Sequence, residues 1–129
     1  MTQKKELTLN EYQQKAMETC METCKNPLYM LTLLSEETGE LFGKFAKAIR
    51  KGQIVFQENY LAFRKKTCTH QEVYEITELM KKECGDIMWA LAGFCYQMGW
   101  ELEDVAQTNL DKLASRKQRG VIDGNGDNR

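Results

Sequence analysis

The sequence predicts an all-α protein with a four-helix bundle-like fold. Apolar residues recur at helical spacing over four stretches, and only one proline and nine glycines occur in the whole chain. The hydrophobic fraction of 42% and the charged fraction of 29% are ordinary for a globular protein. A chain of 129 residues supports one moderate core, so we expect a single domain over residues 1–129.

The first two helices are predicted from their N-terminal signals. Thr8 to Glu11 has the pattern of a capping box, so a first helix is expected to begin there and to end near Lys25. Asn26 followed by Pro27 fits the N-cap and the first residue of a second helix. That helix is predicted to run to about Lys51, because one of its faces carries a regular stripe: Leu31, Leu34, Thr38, Leu41 and Phe45.

The third and fourth helices are predicted in the same way. Thr69 to Glu72 is a second capping box, and apolar residues at helical spacing continue from it to Gly99. Beyond Trp100, another apolar face predicts a fourth helix. Polar residues form a separate stripe on this helix at positions i, i+3 and i+7: Asn109, Lys112 and Arg116.

Two segments do not follow the helical pattern. Residues 52–68 are compatible with a hairpin, a short helix or an ordered loop, and we treat residues 52–73 as a segment inserted between helices. This segment has too many apolar side chains to leave exposed, so we expect it to pack against a neighbouring subunit or over a pocket. The tail at residues 120–129 is rich in Gly and Asp and is predicted to be flexible unless a partner or ligand orders it.

Charge and hydropathy argue against several classes of protein. The formal net charge of -1 gives no electrostatic reason to expect binding to a nucleic-acid polymer. No run approaches the roughly 18 apolar residues that span a bilayer, and residues 1–11 lack the apolar core of a signal peptide. We therefore expect no membrane association and a cytoplasmic location. Five cysteines, an odd number without disulfide or zinc spacing, favour reduced thiols.

Carboxylates on the second and third helices are the strongest chemical signal in the chain. Glu37 and Glu40 share one helical face, and Glu83 and Asp86 share another, because residues three apart are neighbours on a helix. Glu36 lies further round its helix and ranks below them as a ligand. Four carboxylates in a partly dehydrated core are costly unless a cation neutralises them. Oxygen ligands favour Mg²⁺, with Mn²⁺ as a possible substitute.

These motifs resemble those of the MazG-like family of all-α nucleoside triphosphate pyrophosphohydrolases. The family pattern is Glu-Glu-x-x-Glu followed by Glu-x-x-Asp, and the chain has it at residues 36–40 and 83–86. Residues 109–113 and 116–120 are similar to the family's phosphate-side helix and the turn after it. The resemblance covers the chain except residues 52–73. Because of this segment, the two acid motifs are further apart in the sequence than in compact members of the family.

The resemblance implies a reaction and a cofactor. The expected reaction is Mg²⁺-dependent hydrolysis between the α and β phosphates of a nucleoside triphosphate, which gives the monophosphate and pyrophosphate. Its metal ligands fall on the four paired acids: Glu37, Glu40, Glu83 and Asp86. Glu36 and Glu37 are the catalytic candidates, with Glu36 activating water or adding a metal contact. Phosphate or sugar contacts fall on the polar stripe of the fourth helix: Asn109, Lys112 and Arg116.

The resemblance also implies a homodimer or homotetramer, in which a second subunit completes the pocket. It leaves the preferred base and sugar open, and four aromatic residues are candidates for a base-binding wall: Tyr12, Phe42, Trp89 and Trp100. A ferritin-like di-iron protein does not fit, because His70 is the single histidine and that site needs one on each of two helices. The alternative that stays open is a non-catalytic metal- or nucleotide-binding regulatory module.

Overall fold

The computed structural model describes residues 5–57, 60–64 and 66–126. Within these residues the chain forms four α-helices and one two-stranded hairpin, and a short 3-10 helix at Glu22–Cys24 follows the first helix. The helices are α1 (Leu9–Met17), α2 (Pro27–Arg50), α3 (His70–Gln97) and α4 (Leu102–Gln118). The strands are β1 (Ile54–Gln57) and β2 (Tyr60–Phe63). The predicted helical class is confirmed, with the hairpin as an addition between α2 and α3.

The N-termini of three helices form as the sequence predicts. The Thr8 and Thr69 side chains each accept a hydrogen bond from the backbone N–H three residues on, and both capping boxes are complete. The Asn26 side chain accepts from the N–H groups of Leu28 and Tyr29. These caps are local, because every donor and acceptor lies within three residues of the other.

The predicted end of the first helix is wrong. α1 ends at Met17, eight residues before the expected end near Lys25. The backbone N–H groups of Thr19 and Cys20 each donate to the carbonyl three residues earlier, which tightens the chain into a 3-10-like turn. The Thr19 hydroxyl also donates to the Ala16 carbonyl at 2.7 Å. A tightened last turn stops the helix before its apolar pattern ends.

The early end of α1 also brings two cysteines together. Cys20 and Cys24 form a disulfide, with their Cα atoms 5.8 Å apart. We expected reduced thiols throughout, so this expectation is wrong for that pair. The two cysteines lie on either side of Met21 and the start of the 3-10 helix that follows α1, and their Cα separation is within the range that a disulfide spans. Cys68, Cys84 and Cys95 are free.

α2 and α3 make the most extensive contact between helices. They pack tightly at Gly93, where an added Cβ would lie 2.2 Å from the Cε atom of Met30. Met30 is fully buried in this contact. At Gly39 and Gly85, the glycines inside the acid motifs, an added Cβ meets no atom within 4 Å. The tight contact therefore lies beside the acid motifs and not at them.

Gln13 attaches α1 to the connection between α3 and α4. Its buried side-chain amide donates to the carbonyls of Ala92 (3.2 Å) and Trp100 (3.0 Å). Its side-chain oxygen accepts from the Leu102 N–H at 3.2 Å. α4 packs against α1, and Asn10 adds hydrogen bonds to Glu101 and Glu103 near the start of α4. One polar side chain therefore satisfies three backbone groups that face the core.

The hairpin covers the ends of α2 and α3 that lie away from α1. Ile54 is 1% exposed and packs with Ala48 and Met80. Ile54 pairs with Phe63 at the open end of the antiparallel ladder. The apolar side of the segment is thus buried within its own chain, whereas Phe56 remains 68% exposed. Contact between this segment and a neighbouring subunit stays a prediction.

Two features complete the architecture. No helix in the described ranges is both long and apolar enough to cross a bilayer. After α4, the Val121 N–H donates to the Arg116 carbonyl at 3.0 Å, and the Arg116 guanidinium donates to the Gly126 carbonyl at 3.5 Å. Residues 120–126 thus return to the end of α4, residues 127–129 lie outside the described part, and the flexibility of the tail stays a prediction.

Candidate metal centre

Three carboxylates from two helices meet between α2 and α3. Glu37 from α2, with Glu83 and Asp86 from α3, each offer an oxygen within 4.8 Å of the others. Glu83 is 7% exposed, Glu37 is half-buried and Asp86 faces solvent. The three-residue spacing on α3 places Glu83 and Asp86 on the same face, and packing of α2 on α3 adds Glu37. We call these three residues the acid cluster.

The electrostatics of Glu37 show how closely the carboxylates crowd. Burial raises the pKa of the Glu37 carboxyl, and the charges of Asp86, Glu40, Glu36 and Glu83 raise it further. Every acid that the sequence singled out therefore acts on this one group. Such a cluster favours binding of a proton or a cation, because either relieves the repulsion.

Lys44 is the residue of the site that sequence reasoning missed. Its ammonium nitrogen lies 3.0 Å from a carboxylate oxygen of Glu83. Lys44 therefore forms an ion pair with one member of the acid cluster. Lys44 follows Glu40 by four residues and Glu37 by seven, so helical spacing places all three on one face. That spacing was the available signal. The ion pair offsets part of the cost of burying the Glu83 charge.

The remaining predicted acids lie beside the cluster. Glu40 is outside the group of three mutually close ligands, although its charge reaches Glu37 and its side chain lines an adjoining cavity. Glu36 is exposed, and its charge also reaches Glu37. The fold thus brings together three of the four predicted ligands, and the fourth is a neighbour on the same helix.

The polar stripe of α4 lies elsewhere in the protomer. α4 packs chiefly against α1, whereas the acid cluster lies between α2 and α3. Asn109 and Lys112 are exposed on α4. Arg116 is buried, with its guanidinium directed to the Gly126 carbonyl. The assignment of these three residues to phosphate or sugar stays a prediction.

The aromatic candidates have different surroundings. Burial and then the charge of Asp86 raise the pKa of the Tyr12 hydroxyl, so the field of the acid cluster reaches Tyr12 on α1. The Trp89 indole N–H donates to the Ala16 carbonyl (3.1 Å) and to the Thr19 hydroxyl (3.0 Å), which gives this residue a structural role. Phe42 is exposed, and Trp100 lies edge-on to the ring of Phe94. Tyr12 is therefore the aromatic candidate on which a charge of the acid cluster acts.

A cavity of about 540 Å³ adjoins the acid cluster on the side of the hairpin. Its walls are the C-terminal half of α2, the first turns of α3 and Gln53, which precedes β1. Glu40 and Lys44 lie where the cavity meets the cluster. Hydrogen bonds from Thr69 and Gln53, and more weakly the charge of Lys51, lower the pKa of Glu72 on the α3 wall. A volume of this size is typical of small-molecule sites.

The acid cluster has the chemistry of a divalent-cation site. Its ligand atoms are oxygens, they come from two rigid helices, and one of them belongs to a buried carboxylate. Oxygen ligands of this kind suit Mg²⁺ or Mn²⁺ better than softer metals. A cation held there would offset the mutual repulsion that raises the pKa of Glu37.

Comparison with known proteins agrees with this chemistry. The sequence profile described as the MazG nucleotide pyrophosphohydrolase domain matches residues 25–121. A relative from Mycobacterium phage L5, named Gene 37 protein, is 37% identical over 102 residues, which cover 78% of this chain and 75% of the phage protein. No solved structure matches the chain at a significant level. The matched residues include both acid motifs and all of α4.

Proposed function

The chain belongs to the MazG nucleotide pyrophosphohydrolase family, and from this we propose that it hydrolyses the α–β phosphate linkage of nucleoside or deoxynucleoside triphosphates in a Mg²⁺-dependent reaction. The products are the nucleoside monophosphate and pyrophosphate. The observation that carries the proposal is the convergence of Glu37, Glu83 and Asp86 to within 4.8 Å of one another across two helices.

Each acid has a role in this proposal. Glu37, Glu83 and Asp86 would hold the metal, and Glu40 would join them from the next turn of α2. When bound there, Mg²⁺ would supply charge neutralisation at the phosphate oxygens and a water of lowered pKa. Glu36, exposed beside Glu37, accepts the proton of the attacking water or adds a metal contact. The water oxygen bonds to phosphorus, the bridging P–O bond breaks, and pyrophosphate leaves.

The phosphate contacts of α4 are proposed to cross a subunit interface. Within one protomer α4 packs on α1, so exposed Asn109 and Lys112 would meet the substrate of a second subunit in a homodimer or homotetramer. Arg116 would have to leave its buried position to reach a phosphate and is the weaker candidate. Support for assembly comes from large apolar side chains exposed on α3 and α4: Met88, Leu91, Leu110 and Leu113.

The test is a substrate panel with purified protein. Ribo- and deoxyribonucleoside triphosphates are incubated with Mg²⁺ or Mn²⁺, and the products are separated by ion-exchange chromatography. We expect monophosphate and pyrophosphate in equal amounts, with no product when a chelator replaces the metal. Release of diphosphate and orthophosphate would contradict the proposed bond. Saturable nucleotide binding without product would instead support a regulatory module.

A further inference from the structure

The cavity beside the acid cluster has a distinctive wall of lysines. Lys44, Lys47 and Lys51 line it from α2 at positions i, i+3 and i+7. They span about 10 Å along the helix axis, because an α-helix rises about 1.5 Å per residue. Lys44 lies at the inner end, where it pairs with Glu83 of the acid cluster. A row of ammonium groups therefore leads from the acid cluster towards the hairpin.

The two outer lysines have no close anionic partner in the described part of the chain. No carboxylate there lies within 4.0 Å of the ammonium nitrogen of Lys47 or of Lys51. Their ammonium groups are thus available to an anion that enters the cavity. Hydrogen bonds from a charged donor to a phosphate oxygen are among the stronger ones in proteins.

The facing wall of the cavity carries two carboxylates that already have partners. A Glu72 oxygen accepts from the Thr69 N–H at 2.7 Å as part of the capping box. A Glu75 oxygen accepts from the Gln71 side-chain amide at 2.9 Å. These bonds hold the two carboxylates to α3. An anion in the cavity would therefore lie against the α2 wall, away from Glu72 and Glu75.

We propose that this cavity binds the β- and γ-phosphates of the triphosphate substrate, with Lys47 and Lys51 as the contacts to the departing pyrophosphate. The inference rests on the proposed function, because it takes the acid cluster as the place where the α–β linkage lies. The leaving group then extends along α2 towards the hairpin. The nucleoside then points away from the hairpin, and Tyr12, whose pKa the charge of Asp86 raises, is a candidate to meet it.

This orientation gives the lysines a role in substrate choice. A nucleoside diphosphate lacks the phosphate that reaches furthest towards Lys51, so it loses the outermost contact. The site should therefore select triphosphates over diphosphates through Lys51. Lys44 lies between the acid cluster and the outer lysines, so its ammonium group would be free to bind a phosphate oxygen if a cation replaced it as the partner of Glu83.

The first experiment measures binding without turnover. Inorganic pyrophosphate is titrated calorimetrically into the metal-free protein in the presence of a chelator. We expect the double variant Lys47→Gln/Lys51→Gln to weaken its affinity by about 100-fold, since each of the two lost charged hydrogen bonds is worth about tenfold, or ~1.4 kcal/mol. Lys15→Gln removes an exposed lysine of α1 and should bind like the wild type. Equal affinity of the double variant and the wild type would overturn the inference.

Gly43 provides a second test that leaves every lysine in place. It lines the cavity, and a Cβ added there meets no atom within 4 Å. Gly43→Trp should fill the cavity and abolish pyrophosphate binding, whereas Gly43→Ala should retain binding and stabilise α2 slightly. Both variants replace a helical glycine, so their difference reports on space in the cavity. Full pyrophosphate affinity in a folded Gly43→Trp protein would contradict the proposed site.

Kinetics separate this inference from the proposed function. With Mg²⁺ and a triphosphate, Lys51→Gln should raise KM about tenfold and reduce the preference for triphosphate over diphosphate. If turnover is normal and neither KM nor that preference changes, the pyrophosphate site is wrong and the reaction stands. A second outcome is that no triphosphate is hydrolysed although pyrophosphate binding depends on Lys47 and Lys51. The proposed reaction is then wrong, and the bound pyrophosphate is not a leaving group of that reaction.

Discussion

Two stretches of the α2–α3 contact handle charge in opposite ways. At the acid cluster, Glu37, Glu83 and Asp86 face one another, with Lys44 paired to Glu83. At the hairpin end, the carboxylates on α3 are held by donors of their own helix, and the lysines of α2 face a cavity. The first stretch carries a surplus of negative charge that needs a cation. The second carries ammonium groups that an anion can approach.

Under the two proposals, one helix pair binds the metal at one stretch and the polyphosphate at the other. The two stretches also differ in the side chains that pack beneath them. The hairpin end rests on an apolar cluster of Ala48, Ile54 and Met80. Burial of this cluster carries no desolvation cost for a charge. At the acid cluster, burial of Glu83 and crowding around Glu37 oppose folding until a cation binds.

The largest effect is expected from the metal ligands. Asp86→Asn and Glu40→Gln each delete one negative charge at nearly constant shape, so turnover should fall at least ~100-fold with the helical fold intact. Activity assays at saturating Mg²⁺ and circular dichroism provide the two measurements. Glu18→Gln removes an exposed carboxylate at the end of α1 and serves as the matched control. Wild-type turnover in Asp86→Asn would refute the metal assignment.

The next effect concerns the apolar support of the hairpin end. Ile54→Ala should lower the free energy of unfolding by about 2–5 kcal/mol, because it leaves a space in a fully buried cluster. Phe56→Ala removes a 68% exposed ring that stacks on Phe45, and should cost less than about 1 kcal/mol. Urea unfolding measures both. Equal costs would show that the hairpin is not anchored through Ile54.

A smaller effect is expected from the cap that begins the α3 wall. Thr69→Ala removes the hydroxyl that accepts from the Glu72 N–H, and should cost about 1 kcal/mol of stability. Thr77→Ala is a control within the same helix, because its hydroxyl bonds only to carbonyls of its own preceding turn. Thermal unfolding of the two variants can be compared directly. A larger loss in Thr77→Ala than in Thr69→Ala would contradict the importance of the cap.

The smallest effect links the acid cluster to pH. The folded-state pKa of Glu37 is raised, so this group stabilises the fold at low pH, and that stability is lost as pH rises through the folded pKa. With a chelator present and at a pH above that pKa, Glu37→Gln should therefore raise Tm by a few degrees. This gain in Tm should shrink as the pH is lowered. Added Mg²⁺ should raise Tm more in the wild type than in the variant. A Tm gain of Glu37→Gln that grew on acidification would contradict the repulsion around Glu37.

The helix starts and the faces of the two acid motifs could be predicted from the sequence. Thr8, Asn26 and Thr69 cap their helices through bonds that reach no further than three residues. The shared face of Glu83 and Asp86 likewise follows from helical periodicity alone. Such features need no information about distant parts of the chain. For this reason they appear in the structure where the sequence placed them.

Only the tertiary structure decided which charged groups meet and where the chain turns. The pairing of Lys44 with Glu83, the inclusion of Glu37 in the acid cluster and the adjoining cavity all depend on how α2 packs against α3. The hydrogen bonds of Gln13 span about ninety residues of sequence, and the hairpin is held by Ile54 against two helices. The sequence by itself determined the helix starts and the acidic faces, because local hydrogen bonds and side-chain periodicity form them. The contacts between faces depended on packing over long separations, which no local pattern encodes.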